Sequence, residues 1–284
     1  MSNLINKILV PTDFSKSAYA AAQAAASLAK KLKAEILLLH VTDIQGYEAF
    51  RLEEDYQTIT IEQMASKIVE DQMEALYSKP FLQEVKCTTS IKLGTVYKTI
   101  VEVAQEQNTD MIVMGTQGLT GFDKFLMGSN SEKVVRLAKV PVLTLKDSVD
   151  LSQVKNIAFA STFYDDAAIS FPAIHQFIRL FEAKLHLLKV ITPETFEPTY
   201  KSKKLIENFT SLLLLKDCSI NIINSRTVVE GINSFCLENQ IDLLTMATHG
   251  FEGFTHFLAG SITEQVGQKV SFPVLSMKTP SQRS

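Results

Sequence analysis

Two segments of this chain repeat one another closely enough to constrain its whole architecture. Met114-Gly115-Thr116-Gln117-Gly118 leads to Gly128-Ser129, and Met246-Ala247-Thr248-His249-Gly250 leads to Gly260-Ser261. Each reads as a buried strand, a loop of small residues and the opening of a helix. The second copy keeps every interval of the first and differs at one glycine, where Ala247 stands for Gly115. The chain therefore reads as an internal duplication, and its 284 residues divide into two units of ordinary domain size.

The flanking sequence carries the repeat through both halves. Lys7 to Val10 is a short continuous apolar run of the kind found inside a parallel sheet. It is followed by an alanine-rich helix from about Ser17 to Leu32 and a buried strand from Ala34 to Val41. Apolar residues from Ile61 to Leu76 recur at helical spacing within Ile59–Tyr77. Strand Thr88–Leu93, helix Val96–Gln107, strand Met111–Met114, helix Ser131–Ala138 and strand Pro141–Leu145 complete the half. Asn156–Ala160, Asp165–Phe181, Lys184–Val190, Lys203–Leu214, Ile220–Asn224, Val228–Glu238, Leu243–Met246, Thr263–Val270 and Pro273–Met277 repeat the order. Strands alternating with helices predict an α/β fold of two tandem, doubly wound parallel sheets. Domains are expected at residues 1–147 and 153–280, joined by a polar seam from Lys146 to Lys155. The first half is longer by about 17 residues around Gly46 to Thr60, a candidate flap.

Composition excludes several classes of function. A net charge of -3 gives no electrostatic reason to expect nucleic acid as the main partner. Cys87, Cys218 and Cys236 lack the short spacings of zinc or redox sites and read as buried apolar residues in a reducing compartment. The apolar runs are too short to span a membrane and the first residues do not resemble a signal peptide, so a cytoplasmic protein is expected. No histidine has a partner at ligand or triad spacing, and His40 and His186 are expected to be packed within strands. His249 lies in the second loop. The Walker lysine loop, the dinucleotide fingerprint and the nucleophile elbow are all missing.

What the glycine pattern suits is an anion. Ligands of open α/β sheets sit beyond the carboxyl ends of the strands. Glycines there admit backbone N–H groups to a phosphate, and Gly128-Ser129 opens a helix whose free N–H groups favour negative charge. Ser129 and Ser131 are expected to add hydroxyl donors. Asp13, just past the first strand, can accept hydrogen bonds from the adenosine end of a nucleotide; the alternative is helix capping by Asp13 or Ser15, and the two roles can coexist. Its counterpart in the second half is Thr162.

Together, Val10-Pro11-Thr12-Asp13-Phe14-Ser15, Leu38-Leu39-His40-Val41 and the Gly115, Gly118, Gly128-Ser129 series resemble the universal stress protein family in its tandem form, over essentially the whole chain. The resemblance implies an adenine nucleotide alpha hydrolase-like fold with strand order 3-2-1-4-5 in each half. It also implies intramolecular pairing of the halves through their last strands, with a homodimer as a further possibility. By position, Asp13 and the Val41 backbone would face adenine, and Gly115 and Gly118 the ribose and phosphates. Gly128, Ser129, Asn130 and Ser131 would wrap the phosphate tail, with Pro11, Thr12 and Met114 beside them.

The implied ligand is ATP, ADP or AMP, with any Mg2+ held by the phosphates rather than by a carboxylate cluster. The second half retains Gly250, Gly260, Ser261 and Thr263 but has Thr162 for Asp13, Ala247 for Gly115 and Arg226 for Gly94, so its site is expected to be weakened or empty. The functions implied are a nucleotide-binding stress or signalling module, a slow ATPase, or an interaction protein with vestigial sites.

Overall fold

The structure, a computed structural model, describes residues 5–43, 57–116, 129–248 and 272–278. In the first half these form β1 (Lys7–Pro11), α1 (Lys16–Leu32), β2 (Glu35–Asp43), α2 (Gln57–Tyr77), β3 (Cys87–Gly94), α3 (Val96–Glu106), β4 (Met111–Gly115), α4 (Ser129–Leu137) and β5 (Val142–Leu145). The second half gives β6 (Asn156–Ala160), α5 (Asp165–Arg179), β7 (Lys184–Ile191), α6 (Thr199–Leu212), β8 (Cys218–Asn224), α7 (Val228–Glu238), β9 (Leu243–Thr248) and β10 (Val274–Lys278). The expected helix at Thr263–Val270 lies outside the described residues. So does most of the candidate flap, whose last residues already belong to α2. A further turn at Pro80–Gln83 starts on its proline, which supplies the helical φ and needs no donor there.

The strands form one ten-stranded sheet in the order β3-β2-β1-β4-β5-β10-β9-β6-β7-β8. Each half has the expected order 3-2-1-4-5, and the last strands of the halves pair as expected, so that the two sheets are continuous. They join where β5 and β10 pair antiparallel, with Leu275 opposite Leu143, and all other neighbours are parallel. An aspartate locks the entry to each half. Asp110 Oδ2 accepts from the backbone of Asn6 (2.7 Å) and Lys7 (2.9 Å), and Asp242 Oδ2 accepts from Lys155 and Asn156, both at 2.8 Å.

The two faces of the sheet are covered differently. On one face a single core runs across the β5–β10 join, from the alanines of α1 to Phe159, Phe171 and Phe177. On the other, each half has its own cluster, around Leu9 and Ile112 in the first and Ala158 and Leu244 in the second. The polar seam is pinned to the shared core. Leu151 and Val154 are buried in it, the Leu151 N–H donates to Ser27 Oγ (3.0 Å), and Ser148 Oγ donates to Gln23 Oε1 (2.9 Å). Apolar and polar members of the seam thus act together, Leu151 and Val154 in the core and Asp150 as the cap of the turn Leu151–Gln153.

Strand register also revises one match between the halves. Cys87 lies beside Ile36 and Cys218 beside Leu185, which are themselves equivalent positions. Counting along the ladder, Ser225 rather than Arg226 stands where the first half has Gly94. Arg226 is an extra residue before the helix cap at Thr227.

Candidate functional site

The carboxyl ends of β1, β2 and β4 lie side by side, with β1 in the middle. Pro11 ends β1, and the Thr12 N–H still pairs with the Leu39 carbonyl at 2.8 Å. The chain then turns sharply. Thr12 Oγ1 accepts from the Phe14 N–H (3.0 Å), Phe14 takes a left-handed φ of 62°, and Asp13 Oδ1 accepts from the Ser15 N–H (3.0 Å). Ser15 is the N-cap of α1, accepting from the Ala18 N–H at 3.2 Å. Capping falls to Ser15, and Asp13 holds the turn leading into it. Phe14 stacks on His40 with ring centres 4.8 Å apart, and His40 Nδ1 lies 2.9 Å from the Thr12 carbonyl.

Beyond the end of β1, β2 runs on through Asp43. Its odd-numbered residues turn their backbone groups toward β1: the Glu35 N–H bonds the Asn6 carbonyl and the Leu39 carbonyl accepts from Thr12. Val41 is next in that series, and β1–β2 pairing ends at Pro11 opposite Leu39. Its N–H and C=O therefore point past the tip of β1, beside Asp13, where no strand among the described residues pairs with them. A donor and acceptor in that order match the N1 and N6 edge of adenine.

On the other side of β1, Met114 is buried in the core and Gly115 ends β4. A Cβ at Gly115 would lie 2.5 Å from Ser17 Oγ and 2.6 Å from the Ser17 carbonyl carbon, so this glycine is needed for the approach of α1 to β4. Ser131 is buried and its hydroxyl donates to the Gly115 carbonyl at 2.9 Å. The hydroxyl expected to serve a phosphate thus ties α4 to the end of β4. Ser129 and Asn130 open α4 with exposed and half-buried side chains. Gly118, Gly128, Gly250, Gly260, Ser261, Thr263 and His249 lie outside the described residues.

The second half repeats the turn chemistry without the carboxylate. Phe163 has the same φ of 62°, and its N–H is held by Ser161 Oγ at 3.1 Å. Lys189 takes the place of His40 and forms a buried ion pair with Glu197 at 2.8 Å. Sequence reasoning missed this pair. The available signal was a lysine inside an otherwise apolar strand, at the position matched to His40.

His186 and the cysteines have structural surroundings. His186, in β7, has Nε2 3.2 Å from Asn156 Oδ1 and Nδ1 2.9 Å from Ser219 Oγ. Burial pushes the Cys87 thiol up to about 11 and that of Cys236 to about 12, and it raises Cys218 as well, leaving none poised as a thiolate. Cys236 is buried as expected, whereas Cys87 and Cys218 are only half-buried, at the start of the two outermost strands. Among the described residues there is no group of three or more His, Cys, Asp or Glu side chains able to hold a metal, and no helix is long and apolar enough to cross a membrane. A concavity of about 480 Å³ opens at the opposite, amino end of the first-half strands. Glu35 bridges its Lys7 and Lys86, and Asp110 there is occupied by the backbone N–H groups of Asn6 and Lys7, so its carboxylates serve the fold.

Comparison with known proteins agrees with this architecture. The sequence pattern described as the universal stress protein family matches residues 5–146 and again 164–278. A universal stress protein of Methanocaldococcus jannaschii is 35% identical over 147 residues, 51% of this chain and 84% of its own length. One from Synechocystis is 27% identical over 301 aligned residues, covering 96% of this chain and all of that protein. The crystal structure of a universal stress protein from Archaeoglobus fulgidus superposes with a TM-score of 0.72 over 99% of this chain and 100% of that one, at 20% identity. With two matches of the same family in one chain, two copies of its strand order and one joined sheet, this protein belongs to the universal stress protein family in its tandem form.

Proposed function

We propose that the first half binds an adenine nucleotide at the carboxyl ends of β1, β2 and β4, and that occupancy changes the surface offered to a partner in stress response or signalling. The observation that carries this reading is the Val41 backbone edge, which extends past β1 beside the Asp13 turn. Adenine would pair with Val41, and the Asp13 carboxylate would accept from the adenosine end. The start of α4 would face the phosphates, with Mg2+ held by the phosphates themselves. In the second half Thr162 replaces the carboxylate, so nucleotide binding there is weak or lost.

Two measurements test the reading. Mass spectrometry of small molecules released from freshly purified full-length protein is expected to find an adenine nucleotide. Calorimetric titration with ATP should then compare the wild type with Asp13→Asn, which retains the oxygen that accepts from Ser15 but removes the charge. A charge-assisted hydrogen bond contributes about 1.5 to 3 kcal/mol, so affinity should fall roughly tenfold to a hundredfold. ATP affinity unchanged by the substitution would remove Asp13 from the site, and no binding by the wild type would end the proposal.

A further inference from the structure

His40 and Lys189 occupy matched positions in β2 and β7, one residue before Val41 and Val190. Their side chains behave differently. His40 lies flat against Phe14 and bonds the Thr12 carbonyl. The Lys189 ammonium donates to the Thr162 carbonyl at 2.6 Å, lies 2.8 Å from Glu197 Oε1 and stands 4.8 Å from the centre of the Tyr164 ring. Ser202 donates to Glu197 Oε1 (2.5 Å) and the Tyr164 hydroxyl to Oε2 (3.3 Å). Lys189 is 6% exposed and Glu197 8%, so both charges are withdrawn from water and answered within the chain.

Glu197 is delivered by a short strap, residues 192–198, that crosses from the end of β7 to α6. Thr192 and Thr195 close a capping box around the turn Pro193–Thr195, and Pro198 stands at the N-cap position of α6 without a side-chain cap. Two prolines limit the strap's freedom before it docks. It brings a carboxylate onto Lys189, and Lys189 in turn holds the carbonyl of Thr162, the counterpart of Asp13. The backbone beneath the position where the first half offers an adenosine a carboxylate is thus tied to the second half's own ion pair, while the Thr162 side chain itself stays exposed.

We propose that Lys189 and Glu197 form a built-in plug over the carboxyl ends of β6 and β7, which excludes nucleotide from the second half and fixes its edge as a rigid surface. The proposal rests on reading the first half as the nucleotide site. To enter the second half, a ligand would have to lift the strap and separate the two charges. Separating a buried pair leaves each charge uncompensated, which is strongly unfavourable. The plug therefore adds a barrier that is independent of the missing carboxylate at Thr162.

Hydrogen exchange read by mass spectrometry on the full chain, with and without saturating ATP, tests this. In the wild type, ATP is expected to slow exchange in residues 11–18 and to leave residues 192–198 unchanged. Lys189→Met should speed exchange at the Thr192 and Thr195 amides at least tenfold, with the response of residues 11–18 preserved. Glu197→Gln keeps the shape of the side chain and should show the same change in smaller degree, which guards against misfolding of the lysine variant. Protection of the strap by ATP in the wild type would overturn the plug, as would strap exchange that is unmoved in both variants. A first half that ignores ATP would refute the nucleotide reading separately, since the dependence of the strap on Lys189 is measured without nucleotide.

Discussion

Replacing Gly115 with alanine adds one methyl group at a close approach of α1 to the sheet. The new Cβ would meet Ser17 Oγ at 2.5 Å, its carbonyl carbon at 2.6 Å and its carbonyl oxygen at 2.8 Å. Ordinary contact needs about 3.5 to 4.0 Å, so α1 must retreat by roughly 1 Å. Two of the three opposing atoms are backbone, and no rotamer change relieves them. Overpacking of this kind costs about 1 to 3 kcal/mol, against a gain of roughly 0.5 to 1 kcal/mol for replacing a strand glycine. Because two of the three opposing atoms are backbone, the cost falls in the upper half of its range, and the net expectation is a loss of about 1 to 2.5 kcal/mol, or roughly 2 to 10 °C in melting temperature. Thermal and urea unfolding followed by circular dichroism would measure it. Adding Ser17→Ala removes the hydroxyl contact but not the backbone ones, so rescue should be less than half. Gly115→Ala as stable as the wild type, or full rescue by Ser17→Ala, would refute the packing argument.

Asp110→Ala and Asp242→Ala each remove a carboxylate that receives two backbone N–H groups at the entry to a half. Each should lower stability by about 1 to 3 kcal/mol in urea unfolding, and by similar amounts, because the duplication placed the same clamp twice. Acid should also weaken the fold in two stages. Burial holds His175 and His186 below their ordinary value of 6.5, helped by the charges of Arg179 and Lys184. The unfolded chain therefore takes up these protons first, and the stability present above pH 6.5 is lost as pH falls through the lowered folded values. Glu197 is raised by burial, but hydrogen bonds from Lys189 and Ser202 outweigh this and leave it below its ordinary 4.5. Its contribution should disappear in a second step below pH 4.5, visible as a further fall in melting temperature that Glu197→Gln reduces, with Glu35 and Asp150, whose carboxyls are also held low by their partners, supplying the rest.

The fold was legible because apolar runs such as Lys7–Val10 and the repeated glycine intervals report local structure directly. Strand order and the β5–β10 pairing came through the family resemblance, since periodicity identifies strands without saying which ones are neighbours. At the site, the sequence placed Asp13 just past the first strand and offered Asp13 or Ser15 as the cap, and only the folded turn shows that Ser15 caps while Asp13 holds the turn. Gly115 was read for its approach to a phosphate, and its contact with Ser17 depends on how α1 sits on β4, which no local pattern encodes. Ser131 and the Lys189–Glu197 pair were obscured for the same reason. A hydroxyl or a charge in sequence does not reveal its partner in space.

Native mass spectrometry of the intact chain titrated with ATP counts the nucleotide sites in the two halves. One nucleotide per chain is expected at saturation, with that mass increment greatly reduced in Asp13→Asn. Two nucleotides bound with equal affinity, or none at any concentration, would contradict that expectation.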